Sequence, residues 1–459
     1  MAVRRVRALD TNWPALPPTR GRNGSDSHLS RFLRAFSACL LQGTPVSSRH
    51  RAAWPLVALF TAGYLASYLL PTLVGRLDDH LPLTTPQAGV LGSVLLLCSA
   101  SAGFLLASRV ERLGARRLSR AGLLLTAAGY GTAAATTVLP LVVAGAAVGG
   151  FGSGTTMTVA AGRIAARRDP HRASTLGLLA VSATAGALYL ILPALGGGHG
   201  LPLAAVAVVA LLVWPATGHL PDSRDPSVAT VGSPLPHRRA GGVLAGAIVL
   251  WALCQNALWG VSGRIGTDQA GLSEAAVGAV FAAALGAGLL GILGASALGV
   301  RFGRAAPIGV GTVLIAGCIA ASARADGLTA FATGEIAWNT LYPAVLSYLI
   351  GLGAHLDPRG RWAVMVGSAS ALGVAFGPLA GSLLSEHAGF PVMGLVLGTT
   401  LVLLAAPLTL VAVHTTTRPL SFGLVRRGGL TATGTPPLPV PPLGTPEQPL
   451  APLSVTGRH

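Results

Sequence analysis

Residues 333–343 read TGEIAWNTLYP, and Glu335 is followed at i+3, i+4 and i+7 by Trp338, Asn339 and Tyr342. On a helix those intervals place all four side chains on one face. A carboxyl beside an indole, an amide and a phenol can carry a proton, exchange hydrogen bonds and offer ring faces to a flat molecule. It lacks the second acid, histidine or nucleophile that bond-breaking chemistry needs. A second stretch has the same character: Trp251, Gln255, Trp259 and Ser262 fall at spacings of four, four and three, with Asn256 adjacent. Tyr64, Ser67, Tyr68 and Pro71 form a third such face, and GGFGSGTTMT (149–158) a fourth, made of small residues and hydroxyls.

The elements that must hold these faces are apolar. The 459 residues are 51% hydrophobic and 10% charged, with a mean hydropathy of +0.63. Polar breaks separate runs of about 20 residues, the length that crosses a bilayer at 1.5 Å per residue. Twelve spans are expected near 53–75, 86–108, 118–138, 141–163, 174–194, 201–217, 242–263, 274–299, 306–323, 328–351, 362–384 and 390–413. The expected fold is an all-α membrane protein of twelve transmembrane helices in two pseudo-symmetric six-helix bundles, 53–217 and 242–414. A polar linker, 218–241, joins them. A basic N-terminal tail (1–52) and a Pro-rich C-terminal tail (415–459) read as disordered.

Every one of the 32 basic residues is arginine. With the N-terminus in the cytoplasm, all but Arg76, Arg264 and Arg324 fall on the cytoplasmic side, so the net charge of +17 reads as orientation and headgroup contact rather than nucleic-acid binding. A cell (inner) membrane location with both termini cytoplasmic follows. Arg76 and Arg264 are read either as parts of an outer gate or as interfacial arginines holding headgroups, and Trp54, Trp214 and Trp362 as interfacial belt residues. Cys39, Cys98, Cys254 and Cys318 are scattered without a CxxC pair, and the histidines lie in loops, tails or at helix ends. Asp78-Asp79-His80 reads as a solvated turn, and no nucleotide-binding fingerprint is present. No cofactor, metal or enzymatic activity is therefore expected.

The two bundles repeat. VGRLDDHLPLTTPQAGVL (74–91) matches SGRIGTDQAGLSEAAVGAV (262–280), with Arg76 opposite Arg264; RDPHRAS (168–174) matches LDPRGRWA (356–363), with Asp169 opposite Asp357, both at an offset of 188 residues. Between spans 2 and 3 stands ASRVERLGARR (107–117), in which Glu111, Arg112, Gly114, Arg116 and Arg117 fit the loop signature G-x-x-x-(D/E)-R-x-G-x-(R/K)-(R/K) and Ala107 replaces its first glycine. SALGVRFGRAA (296–306) is a weaker second copy that keeps Arg301 and Gly303. Over roughly residues 53–413 the chain resembles the major facilitator superfamily, whose twelve-helix drug and metabolite efflux branch is the nearest pattern. The resemblance implies that helices 1, 4, 7 and 10 line a central cavity and that the 107–117 loop latches one state of the bundle against its second half. Two features depart from drug-proton antiporters: Ala146 stands where they carry an arginine in helix 4, and their helix 5 pattern G-x-x-x-G-P-x-x-G appears in helix 11 as GVAFGPLAG (373–381).

In this topology Glu335 is the one charged residue that no loop, tail or helix end accounts for. It lies roughly 10 Å inside its span, where a lipid-facing charge costs roughly 2.5 kcal/mol or more. It is expected to face the bundle interior or a wet cavity, either as a proton-coupling group or as a protonated acid bonded to Gln255 or Asn256. The function expected is secondary active transport, a proton-coupled efflux of a small amphipathic or aromatic compound by alternating access. Uptake by proton symport, or a receptor that transports nothing, are the alternatives. The expected partners are a small-molecule substrate, protons and the lipid bilayer, with no nucleic acid and no obligate protein partner.

Overall fold

Prolines and glycines set where the helices begin, bend and stop. The computed structural model describes residues 53–167, 169–220, 235–299, 303–357 and 361–415, so both tails and the middle of the linker lie outside the described residues. Helix α1 comprises Trp54–Tyr68 and Leu70–His80, bent by 45°. Pro71 sits just inside the second segment, where its ring and missing N–H release the Ser67 carbonyl from its helical donor. Helix α2 (Thr85–Leu106) opens on a reciprocal cap between Thr84 and Gln87. Gly114, at φ 85°, turns the chain into α3 (Ala115–Ala135) in a conformation that a Cβ would oppose. Then follow α4 (Leu139–Ala165), α5 (Pro170–Leu195), capped by the Asp169 side chain, and α6 (Gly200–Val213), which tightens into a 3-10 stretch, Trp214–His219.

The second half repeats the series. Helix α7 (Arg238–Arg264) continues as a π-helical turn, Ile265–Gln269; α8 (Glu274–Leu298), α9 (Ala305–Ser322) and α10 (Leu328–Leu356) follow. The 55 residues Arg361–Thr415 are helical except at Gly389 (φ 74°), which divides them into α11 and α12. Eight of the described helices are long and apolar enough to cross a membrane, nine with the two segments of α1 taken together. The 55-residue helix is two spans, and α3 and α10 complete the twelve. Arginines at 116, 117 and 120 in α3, and the polar face of α10, lower the hydropathy of those two.

In the first half α1 packs on α5, α2 on α4, and α3 on both α4 and α6; in the second α7 packs on α11, α8 on α10, and α9 on α10 and α12. Adding six to each helix number converts one set into the other, so the halves share one plan. Contact is close: a Cβ on Gly129 would lie 2.2 Å from the Gly149 nitrogen, and one on Gly381 would lie 2.1 Å from the Ala257 carbonyl oxygen. The halves meet through α2 with α11 and α5 with α8.

One expectation is corrected. Trp362 is not a belt residue: it is 3% exposed, packs on Gly241, and its indole donates to the Pro236 carbonyl at 2.7 Å. Helices α1 and α7 both stay helical past their arginines, α1 to His80 and α7 through its π-helical turn to Gln269.

Candidate functional site

Helices α7 and α10 run antiparallel, so residues whose numbers have a nearly constant sum face each other. Three pairs follow in order from the distal face, the end away from the linker. The Ser262 hydroxyl lies 2.9 Å from Glu335 Oε1 and 3.0 Å from the Leu258 carbonyl, and donates to one or the other. The Trp338 indole donates to Gln255 Oε1 in a short hydrogen bond. Trp251 stacks on Tyr342, with centroids 5.4 Å apart and planes 13° off parallel.

Glu335 is 0% exposed and so points into the protein, away from lipid. Its partner is Ser262, which corrects the expected bond to Gln255 or Asn256. Antiparallel register puts Gln255 opposite Trp338, and the Asn256 amide donates to its own helix at Ala252 (2.9 Å). Ser322 on α9 is a second hydroxyl near the carboxyl, yet neither it nor Glu335 Oε2 completes a hydrogen bond of acceptable geometry. Asn339 donates to the Glu335 carbonyl at 3.0 Å.

An aromatic layer connects this seam to the first half. Trp259 lies 5.6 Å from Trp338 and 5.2 Å from Phe281, and Phe281 lies 5.1 Å from Tyr189. The Trp259 indole donates to the Ser67 carbonyl, 3.2 Å away, the group that Pro71 left without a helical donor. Tyr189 donates to the Tyr68 carbonyl at 2.6 Å. Tyr64 and Tyr68 meet edge to face at 6.2 Å, both half-buried. Phe281 and Tyr189 are members that periodicity missed, because α8 and α5 show no polar face of their own.

The distal face is closed by ion pairs across the halves. Arg76 is 3% exposed and donates to the carbonyls of Gly196, Gly197 and Leu192 in its own half, and to Glu274 at 2.9 Å in the other. Arg264, 8% exposed, pairs with Asp78 of α1 at 3.0 Å and lies 5.4 Å from the Phe390 ring. These arginines hold carboxylates, not headgroups, and Asp78 belongs to a helix end instead of a solvated turn. Thr85 also donates to Asp78, at 3.0 Å. Between the pairs remains a small recess lined by Arg76, Asp79, Tyr189, Arg264, Glu274 and Phe281.

At the linker face, the 107–117 loop forms a 3-10 turn and a short helix before Gly114. Arg116 donates to the carbonyls of Gly218 and Leu220, both at 3.0 Å, and Arg120 to the Thr217 hydroxyl at 3.1 Å. Those contacts tie α3 to the 3-10 stretch after α6 and to the start of the linker. Arg112 and Arg117 are exposed, and the Glu111 side chain lies outside the described residues.

Residues 56–356 match the family model described as Major Facilitator Superfamily. Solved transporters share the fold. The human organic anion transporter MFSD10 (TETRAN) aligns with a TM-score of 0.59 at 16% identity, over 80% of this chain and 100% of that one. A bacterial homolog of the human lysosomal transporter Spinster, inward-facing and unoccupied, gives 0.57 at 15%, over 81% and 97%. The nucleoside transporter NupG gives 0.63 at 14%, over 78% and 98%. No curated protein matches the sequence.

Proposed function

The chain belongs to the major facilitator superfamily, and from that premise we propose that this membrane transporter exports a small amphipathic or aromatic compound from the cytoplasm in exchange for protons, by rocking its two halves about the α7–α10 seam. The observation that carries the reading is Glu335. A carboxylate removed from water costs several kcal/mol unless it is paired, and this one has a hydroxyl facing it in place of a cation. Taking up a proton removes that cost; releasing it restores it. A group with two such states, bonded to the helix that carries Arg264 of the distal pairs, can favour one arrangement of the halves over the other.

The arginine bias supports a cytoplasmic linker face, and the ion pairs and aromatic layer support a distal face closed in this state. The chamber then opens toward the cytoplasm, where an exporter takes up its load. When the distal pairs part, the loop of Glu111, Arg112, Gly114, Arg116 and Arg117 closes the linker face.

The test is transport of aromatic compounds into inverted vesicles holding the full chain, with and without a proton gradient. Gradient-dependent uptake into the vesicles is expected for the native chain. Glu335→Gln is expected to lose the gradient dependence while still exchanging substrate down its own gradient. Full gradient-driven transport by the Gln variant would rule out the assigned role, and accumulation in right-side-out vesicles would reverse the direction.

A further inference from the structure

Glu335 and the groups that can touch a substrate are different groups. The carboxyl is fully enclosed, and facing it are Ser262 of α7, Ser322 and Cys318 of α9 and Tyr189 of α5, none of them a permanent charge. Seven residues nearer the linker face along α10, roughly 10 Å, the environment changes. Tyr64 and Tyr68 of α1, Asn256 of α7 and Tyr342 of α10 are all half-buried. Tyr342 lies near Tyr64 and Asn256, and Tyr68 near Ser182. Phenols from the first half therefore face a phenol and an amide from the second, over the flat surface of the Tyr342–Trp251 stack.

This cluster holds donors, acceptors and ring faces, and no formal charge. The electrostatic neighbours of its three phenols are one another, Ser182 and Asn256, with no carboxylate or guanidinium among them. Asn256 spends an N–H on Ala252 and keeps its Oδ1 as an acceptor. The unpartnered buried atoms nearby, Trp251 Nε1 and Gln255 Nε2, are donors that lack an acceptor. Arg76 and Arg264 are committed to the distal gate. A cation or anion placed here would surrender its water with no counter-ion to replace it.

Resting on the transport reading above, we propose that the substrate is an uncharged, planar molecule bearing a carbonyl or hydroxyl group. It is bound by Tyr64, Tyr68, Asn256 and Tyr342, and the proton on Glu335 is never exchanged for the substrate at a shared site. Coupling then runs through the position of α7 and α10, without competition for one group.

Three probes on one ring system separate the cases: 1-naphthamide, 1-naphthylmethylammonium and 1-naphthoate, titrated by calorimetry against the full chain in lipid nanodiscs. The amide is expected to bind at least about tenfold more tightly than either ion. Its advantage over both ions is expected to hold from mildly acid to mildly alkaline pH and in Glu335→Gln, and its affinity to be about fivefold weaker in Tyr342→Phe, which keeps the ring and loses only the hydroxyl. Asn256→Ala provides an independent second loss. Tightest binding by the ammonium, with that affinity falling in Glu335→Gln, would overturn the proposal; so would tightest binding by the naphthoate, or no binding by any probe. A chain that binds the amide as described yet moves it without a proton gradient refutes the coupled-export reading and leaves this one intact.

Discussion

Arg76 and Arg264 occupy equivalent positions in a duplicated chain, and the structure holds them by different means. Three carbonyls of its own half hold Arg76; Glu274, its partner across the interface, has a side chain 48% exposed. Arg264 depends on carboxylates: Asp78 across the interface at 3.0 Å with a side chain 14% exposed, and Asp268 of its own half at 3.7 Å. Parting the halves would leave Arg76 with most of its hydrogen bonds and take from Arg264 its close acid. Duplication thus supplied two identical cations, of which one braces the α5–α6 turn and the other is held across the interface by Asp78.

The strongest way to break this contrast is Asp78→Ala. Removing one member of a buried pair costs at most about 3–5 kcal/mol, an upper bound here because Asp268 stays 3.7 Å from Arg264. Spin labels at Thr137 and Asp326, both exposed at the distal face, should then report a population at longer separation; an unchanged distance distribution would mean that Arg264 is no lock. Next comes the seam that seats α7. Gly381→Ala would drive a methyl into the Ala257 carbonyl from 2.1 Å, and such overpacking typically costs about 1–3 kcal/mol. Thermal unfolding in detergent should fall for Gly381→Ala and hold for Gly367→Ala, where nothing lies within 4 Å. Equal Tm values for the two would show that α11 can yield. Smallest of all should be Glu274→Gln, since a half-exposed pair contributes at most about 1 kcal/mol. A label-distance change as large as that of Asp78→Ala would make the two arginines equivalent after all.

Much of the site could be read along single helices. Spacings of three, four and seven put Glu335, Trp338 and Tyr342 on one face of α10, and Trp251, Gln255, Trp259 and Ser262 on one face of α7; the structure joins those faces. Periodicity, however, reports only neighbours on the same helix. Ser262 was visible as a member of its face but not as the partner of Glu335, because that depends on register between two helices some 70 residues apart in sequence. Asp78 read as part of a solvated turn and Glu274 as the first residue of a span, and their pairing with arginines of the opposite half has no local trace. Phe281 and Tyr189 sit in featureless apolar stretches, and only packing brings them to Trp259. Trp362 matched an interfacial tryptophan by position and proved to be a core residue under Gly241.

What the chain's own letters determined is the solvent it lives in, the number of crossings, the duplication and the presence of one acid too deep to be casual. Those follow from hydropathy, helix length and the cost of burying charge, all local to a segment or additive along it. Which acid answers which arginine, and that the deep acid is enclosed while the phenols are only half-buried, were decided by tertiary structure. Such matters rest on distances between residues remote in sequence, and a hydrogen bond exists only within a few tenths of an ångström of its proper length.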